Sequence, residues 1–384
     1  GTMCLSEAHA GSSLADLTTR AVPQDDGTHR IHGQKMWISE GEHELSENID
    51  HLVLARTEGA PAGVKGLSLF IVPKYLVDAD GAVGERNDVS LADLNHKMGY
   101  RGTTNTMLHF GEGHATPGGA PDAIGHLVGE EGKGLVYMFH MRNEARIGVG
   151  AGAAALGCTG HLHAARLLDL STAAPDERTR REAAVLLNLL TPVVKSWPST
   201  WCLVANDLAI QVHGGAGYTR DHDVEQFWRD NRLNPIHEGT AGIQAADLLG
   251  RKVRQHDGEG LRLLRAAVED TLARTPDELR SWADSLAGRL DRLLDITTRL
   301  HESGDPAQVL SHAHCYLEAT GHPVVAWLWL DQVLAATDPT STVHRGKHAA
   351  ARYFFTHELP TVDAHLDLLA SGDRHLLEVD PAVL

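Results

Sequence analysis

Gln211-Val212-His213-Gly214-Gly215-Ala216-Gly217-Tyr218-Thr219-Arg220-Asp221 is followed by Trp228-Arg229-Asp230-Asn231-Arg232 and then by Ile236-His237-Glu238-Gly239-Thr240-Ala241-Gly242-Ile243-Gln244. This stretch decides the fold. Three glycines in one short loop let a backbone approach a ligand closely. Arg229 and Arg232 can pair with Asp230 or with phosphate, and Glu238-Gly239-Thr240 sets a carboxylate before a flexible turn. Each feature alone is compatible with a structural role; together they point to a bound ligand.

Working outward, the pattern before this stretch has helical spacing from Leu135 to about Arg254, as in Arg181 to Leu190 and Ser199 to Val212. Asp169 to Glu177 (Asp-Leu-Ser-Thr-Ala-Ala-Pro-Asp-Glu) interrupts that spacing and reads as a loop. Gly148-Val149-Gly150-Ala151-Gly152 is not a dinucleotide fingerprint, because Ala153 takes the last glycine place and no strand precedes it; it reads as a site of close helix packing.

Upstream of about residue 126, short β-like runs alternate with Gly, Pro, Asn and Asp: His51 to Arg56, Gly66 to Val72 and Thr106 to Phe110. Strands at short spacing without helical periods predict a small β-barrel or sandwich. From about Leu261 onward, helical stretches are cut by Thr275-Pro276-Asp277, Gly304-Asp305-Pro306, Gly321-His322-Pro323 and Asp338-Pro339, which predicts an antiparallel bundle. Trp327, Trp329, Tyr353, Phe354 and Phe355 lie on these helical patterns and read as core or subunit contact. The fold class is therefore α+β and multidomain: a small β-barrel or sandwich over 1–126, a helical bundle over 127–254 and a further C-terminal helical bundle over 255–384.

The chain has 384 residues and a net charge of −17, from 34 basic and 51 acidic side chains. Such a surface repels phosphate backbones, so nucleic-acid binding is not expected. No apolar run approaches the roughly 20 residues that span a bilayer, and no signal peptide is expected, so a soluble, cytoplasmic protein is predicted. Cys4, Cys158, Cys202 and Cys315 are scattered and read as reduced thiols. His237-Glu238 is followed at i+4 by Ala241, which breaks the HExxH pattern, and no metal is expected.

Two segments near the start complete the motif set. Leu5-Ser6-Glu7-Ala8-His9-Ala10-Gly11-Ser12-Ser13 sets hydroxyls beside a glycine in a turn, where amides can face an anion. Gly33-Gln34-Lys35-Met36-Trp37-Ile38-Ser39 is a strand with an aromatic beside a hydroxyl; the ring serves either as core or as the wall of a flat cofactor.

These motifs resemble the acyl-CoA dehydrogenase family of flavoenzymes. Leu5 to Ser13 is similar to the family's L-T-E-P-x-x-G-S-D, Lys35 to Ser39 to K-x-W-I-S/T, Gln211 to Tyr218 to Q-x-x-G-G-x-G-Y, and Ile236 to Gln244 to I-x-E-G-T-x-x-I-Q. Gly41-Glu42-His43, Asn48-Ile49, His96 to Gly99 and Ala350 to Phe355 narrow the likeness to the larger branch with an extra C-terminal helical domain, which includes 3-methylmercaptopropionyl-CoA dehydrogenases. The resemblance makes 1–126 the middle β-domain and 127–254 the flavin and acyl-CoA domain, internally shortened near 169–177.

Carried over residue by residue, the resemblance implies FAD as cofactor and an acyl-CoA as substrate. It puts Ser6, Trp37 and Ser39 at the isoalloxazine, with Gly11 in the same cofactor-binding turn and Ser12 near the flavin or acyl-CoA phosphates. Gln211, Gly214 and Gly215 would meet the FAD adenylate of a neighbouring subunit, and Thr240 would touch the FAD. Arg146 and Gly239 would join Ser12 in binding substrate, and Glu238 would be the base that removes the α-proton. Some members carry the base directly before an arginine; here that place is Ala145 before Arg146. The resemblance also implies a homo-oligomer and an electron-transfer flavoprotein as acceptor.

Three substitutions stand in the first motif: Ser6 for Thr, Ala8 for Pro and Ser13 for an acid. The chain opens at Gly1-Thr2-Met3 within patterned sequence, so it is expected to enter its barrel part-way through a longer protein. The N-terminal helical domain would come from a missing segment or a partner chain. The arginine-rich segment that grips FAD phosphates across the family's interface is replaced near 169–177. The alternative function is a shortened, FAD-poor homologue acting as a partner or scaffold subunit, or as a non-redox proton-transfer enzyme.

Overall fold

A computed structural model describes residues 1–139, 158–380 and 382. The chain divides into two compact units, Gly1–Asn143 and Glu144–Leu384.

The first unit is the expected β-domain. Its strands among the described residues are β1 (Thr2–Cys4), β2 (Arg20–Pro23), β3 (His29–Ser39), β4 (Asp50–Thr57), β5 (Leu67–Pro73), β6 (Tyr75–Val77), β7 (Val83–Arg86), β8 (Val89–Leu94), β9 (Asn105–Phe110) and β10 (Ala123–Leu127). β4, β5, β10 and β3 lie side by side, and β2 pairs with both β3 and β4, closing these five strands into a ring. Closure leaves no open edge between them. β9 and β8 extend the sheet beyond β3, β1 adds to β4 in parallel, and β6 and β7 form a separate hairpin. Ala21, Ile31, Val53, Phe70, Val72, Leu108 and Phe110 are buried together inside.

The second unit is helical: α1 (Cys158–Ala173), α2 (Glu177–His213), α3 (Val224–Asn231), α4 (Ala241–Gly250), α5 (Glu259–Ala273), α6 (Arg280–Glu302), α7 (Pro306–Ser311), α8 (Ala313–Ala335), α9 (Thr342–Tyr353) and α10 (Val362–Ser371). One core runs from Ala164 and Leu167 of α1 through Leu189, Trp197, Leu248, Leu264 and Leu293 to Tyr316, Leu330 and Leu366. Trp327, Phe354 and Phe355 belong to that core, whereas Tyr353 is 58 % exposed.

The expected loop at 169–177 shrinks to three residues, because α1 continues to Ala173 and α2 starts at Glu177. Ser171 Oγ and Thr172 Oγ1 both donate to the Leu168 carbonyl, so the hydroxyls that suggested a loop are absorbed by the helix. Asp176 then caps α2 by accepting from the Thr179 amide.

α2 runs for 37 residues and contains Pro192 and Pro198. Each interior proline costs about 3 kcal/mol in an isolated helix. Here every residue from Leu189 to Ser199 is buried, and apolar packing offsets that cost. Thr191 and Ser199 return hydroxyl bonds to the Leu187 and Lys195 carbonyls.

Gly321-His322-Pro323 does not break the chain; it lies inside α8. A Cβ at Gly321 would sit 2.4 Å from Trp197 Cδ1, so this glycine serves the close crossing of α8 over α2. The other three predicted breaks fall between helices. At one of them Asp305 caps α7 by accepting from the Ala307 and Gln308 amides.

Candidate functional site

In the first unit, the strand β3 breaks register with β9 between Lys35 and Ile38. This bulge frees Met36 from β9, and its amide donates instead to the Ser6 carbonyl at 2.9 Å. Trp37 sits at the bulge with φ +64° and is 57 % exposed. The ring is therefore not core. It projects from a strained backbone beside the Ser6 segment, and Ser39 follows, exposed, at the end of β3.

A buried ion pair holds the Ser6 segment to β3. Lys35 Nζ donates to the Leu5 carbonyl at 2.9 Å and to Glu7 Oε1 at 3.0 Å, with Lys35 0 % and Glu7 4 % exposed. Glu7 also accepts from the amides and hydroxyls of Thr18 and Thr19 at 2.6 to 2.9 Å. Burial pushes the Glu7 carboxyl up, but the Lys35 ammonium and the threonine donors outweigh it and hold the group at about 2. Gly11 and Ser12 lie exposed in the turn that follows, where a Cβ at Gly11 would meet nothing within 4 Å.

In the second unit, Glu238 is half-buried on a turn where it and Gly239 take φ +55° and +92°. Lys195 reaches this turn from inside α2. Its Nζ donates to the carbonyls of Asn234 and Gly239, each at 2.8 Å, with the lysine 0 % exposed. Gln244 Nε2 donates to the Glu238 carbonyl at 3.1 Å, and Thr240 caps α4 by accepting from the Ile243 amide. The carbonyls on both sides of Glu238 are thus fixed by buried donors. Burial, with Lys195 nearby, keeps the adjacent His237 below its usual range despite its bond to the Leu233 carbonyl.

Gln211 lies in the last turn of the same helix, and Gly214 and Gly215 in the 3-10 turn that follows it. Gln211 is about 24 Å along the axis of α2 from Lys195 at 1.5 Å per residue. All three are exposed, and a Cβ at Gly214 or Gly215 would meet nothing within 4 Å. Gly217 differs: its Cβ would lie 2.4 Å from the Ile210 carbonyl oxygen, so it is a packing residue. Arg229 pairs with Glu225 within α3.

Arg146 lies outside the described residues, as do Ala145 and Gly148 to Gly152. Glu7, Lys35, Lys195 and Gln244 carry no role in the motifs above, yet each holds a site segment in place. The signal was present, since Lys195 is a single charge in the apolar run Leu189 to Trp197, and a buried ammonium must find acceptors.

Three family models match the chain: "Acyl-CoA dehydrogenase, middle domain" over 2–112, "Acyl-CoA dehydrogenase, C-terminal domain" over 155–252, and "Acetyl-CoA dehydrogenase C-terminal like" over 264–380. The protein belongs to the acyl-CoA dehydrogenase family, in the form with an extra C-terminal domain.

Among its relatives, the 3-methylmercaptopropionyl-CoA dehydrogenase of Ruegeria pomeroyi is 35 % identical over 85 % of this chain and 63 % of its own length. The broad-specificity linear acyl-CoA dehydrogenase FadE5 of Mycobacterium tuberculosis is 31 % identical over 99 % of this chain and 74 % of its own. The chain therefore spans less than two thirds of the first of these relatives and about three quarters of the second. In fold it is similar to Caenorhabditis elegans ACDH-11, solved in complex with C11-CoA, at a TM-score of 0.77 and 23 % identity, over 94 % of this chain and 65 % of that one. No helix among the described residues is long and apolar enough to cross a membrane.

Proposed function

We propose that this chain carries the α,β-desaturation of an acyl-CoA thioester, with FAD as cofactor and Glu238 as the base. The observation that carries this reading is the Glu238 turn. A half-buried carboxylate stands on a turn whose Asn234 and Gly239 carbonyls are pinned by Lys195 and whose Glu238 carbonyl is pinned by Gln244, inside a segment that matches the family's C-terminal domain model. A base must hold its position while it takes a proton from carbon, and a turn fixed by buried donors meets that need.

The residues present fit the cofactor. Trp37 offers an exposed ring on a bulged strand beside Ser6 and Ser39, suited to a flat heterocycle. The open Gly11 and Ser12 turn suits a phosphate. FAD, when bound, supplies the acceptor for the hydride that leaves the β-carbon. Glu238 takes the α-proton, the C–H electron pair becomes the new double bond, and the thioester carbonyl needs hydrogen-bond donors while negative charge builds on it. Gln211, Gly214 and Gly215, at and just beyond the far end of α2 from Lys195, suit a second part of the cofactor, and the resemblance assigns them to a neighbouring subunit's FAD. Ser12, Gly239 and Arg146 are assigned to substrate, a homo-oligomer is the proposed assembly, and an electron-transfer flavoprotein is the proposed acceptor.

The test is a visible spectrum of the purified chain after incubation with FAD and removal of the excess. Retained flavin that bleaches with an acyl-CoA, and no longer bleaches in Glu238→Gln, supports the reading. Retained flavin that bleaches equally in Glu238→Gln removes Glu238 as base. A chain that retains no flavin acts instead as a partner subunit or a non-redox protein.

A further inference from the structure

The second unit carries a cleft of about 570 Å³ along α5, α6 and the turn before α5. It shares no residue with those assigned to flavin or acyl-CoA. Its volume lies within the roughly 300 to 1,000 Å³ common for small-molecule sites. Val253, Leu261 and Leu294 give it an apolar floor, while Arg254, Arg262, Arg265 and His301 bring positive or protonatable nitrogen to its walls. Asp257 and Glu302 are the acidic residues of its lining. The lining sets three guanidiniums against two carboxylates in a chain of net charge −17.

These nitrogens are not equally engaged. Arg265 is held by Glu269 at 2.8 Å and Asp291 at 3.1 Å, and Arg262 donates to the Asp257 carbonyl at 2.6 Å. The Arg254 side chain has no hydrogen bond or ion pair among the described residues. His301 Nε2 is buried and has no partner there either, although the Leu249 carbonyl lies beside the ring. Burial and the Arg254 charge hold this imidazole below its usual range. The exposed Arg254 guanidinium is the group an anion at the cleft would meet first.

The turn that frames the cleft is strained. His256, Asp257 and Gly258 take φ of +51°, +53° and +77° in succession, and only the last is a glycine. Consecutive left-handed residues with side chains are costly and persist where the fold needs the loop shape. Here that shape carries the chain from Arg254 into α5, where Leu261 and Arg262 complete the lining.

We propose that this cleft binds a small amphipathic anion. Its apolar body rests on Val253, Leu261 and Leu294, and its carboxylate or phosphate head lies between Arg254 and Arg262. The proposal is independent of the desaturase reading.

The experiment is calorimetric titration of the full chain with octanoate, octyl phosphate and inorganic phosphate. At least one amphiphile is expected to saturate one site with a dissociation constant of about 1 mM or tighter, and inorganic phosphate to bind about tenfold more weakly or not at all. Comparing the two amphiphiles tells a carboxylate ligand from a phosphate one. Arg254→Ala and Arg262→Ala should each weaken binding about tenfold, while Arg178→Ala, whose partner is Glu182, should leave it unchanged. Arg254 is exposed, so its variant is expected to fold normally. The proposal is overturned if neither amphiphile saturates or if inorganic phosphate binds as tightly as they do. It is equally overturned if binding survives both cleft variants, which would seat the amphiphile elsewhere, the proposed acyl site included.

Discussion

The Lys195 ammonium donates to the Gly239 carbonyl at 2.8 Å, one peptide beyond Glu238, from a side chain that is fully buried inside α2. The same nitrogen bonds the Asn234 carbonyl, so one charge spans the turn from both ends. Lys195→Met keeps the length of the side chain but removes both bonds. It should cost about 2 to 4 kcal/mol of stability, because two buried carbonyls lose a charged donor. Amide exchange over 234–240 should quicken in the same variant, and unchanged protection there would show that Lys195 does not hold the turn.

Glu7 gives a pH signature. Its carboxyl is held at about 2, below its ordinary value of 4.5, so its stabilising contribution is full above pH 4.5 and is lost as pH falls through 2. Glu7→Gln should cost roughly 3 kcal/mol at pH 7, with Lys35 left buried without its partner. The gap between variant and parent in chemical unfolding should stay level from about pH 7 to 5 and narrow below pH 4.5. A gap that widens on acidification would contradict the assignment.

Trp37 separates binding from stability. At φ +64° its backbone favours glycine, and its ring is 57 % exposed, so Trp37→Gly should leave the melting temperature unchanged or raise it. If the ring walls the flavin, the same variant should weaken FAD retention by about tenfold or more, measured by absorbance after desalting. Full retention would take Trp37 out of the cofactor site.

Gly321→Ala sets two effects against each other. Alanine gains up to about 1 kcal/mol in helix propensity over glycine. Its Cβ would fall 2.4 Å from Trp197 Cδ1, in a core where forced repacking costs about 1 to 3 kcal/mol. The clash should win, giving a net loss in denaturant unfolding; a stabilised variant would mean that α8 and α2 can move apart at no cost.

Much of this protein follows from its sequence alone. The strands at His51 to Arg56, Gly66 to Val72 and Thr106 to Phe110 stand where their β-branched and apolar runs place them, and three of the four proline-bearing breaks end helices. The family is legible in motifs of a few residues, because a turn that needs glycine or a strand that needs a given pairing constrains residue type locally. What only the tertiary structure decides is where local preference loses to packing. α2 passes through Pro192 and Pro198, and α8 through Gly321 and Pro323, because burial on several sides outweighs a penalty of a few kcal/mol. Trp37 faces outward although it lies on a barrel strand, because a bulge diverts β3 toward Ser6. Lys35 and Lys195 are buried at the segments they hold, and their acceptors lie about 30 to 44 residues away in the chain, a distance over which no local pattern links donor to carbonyl.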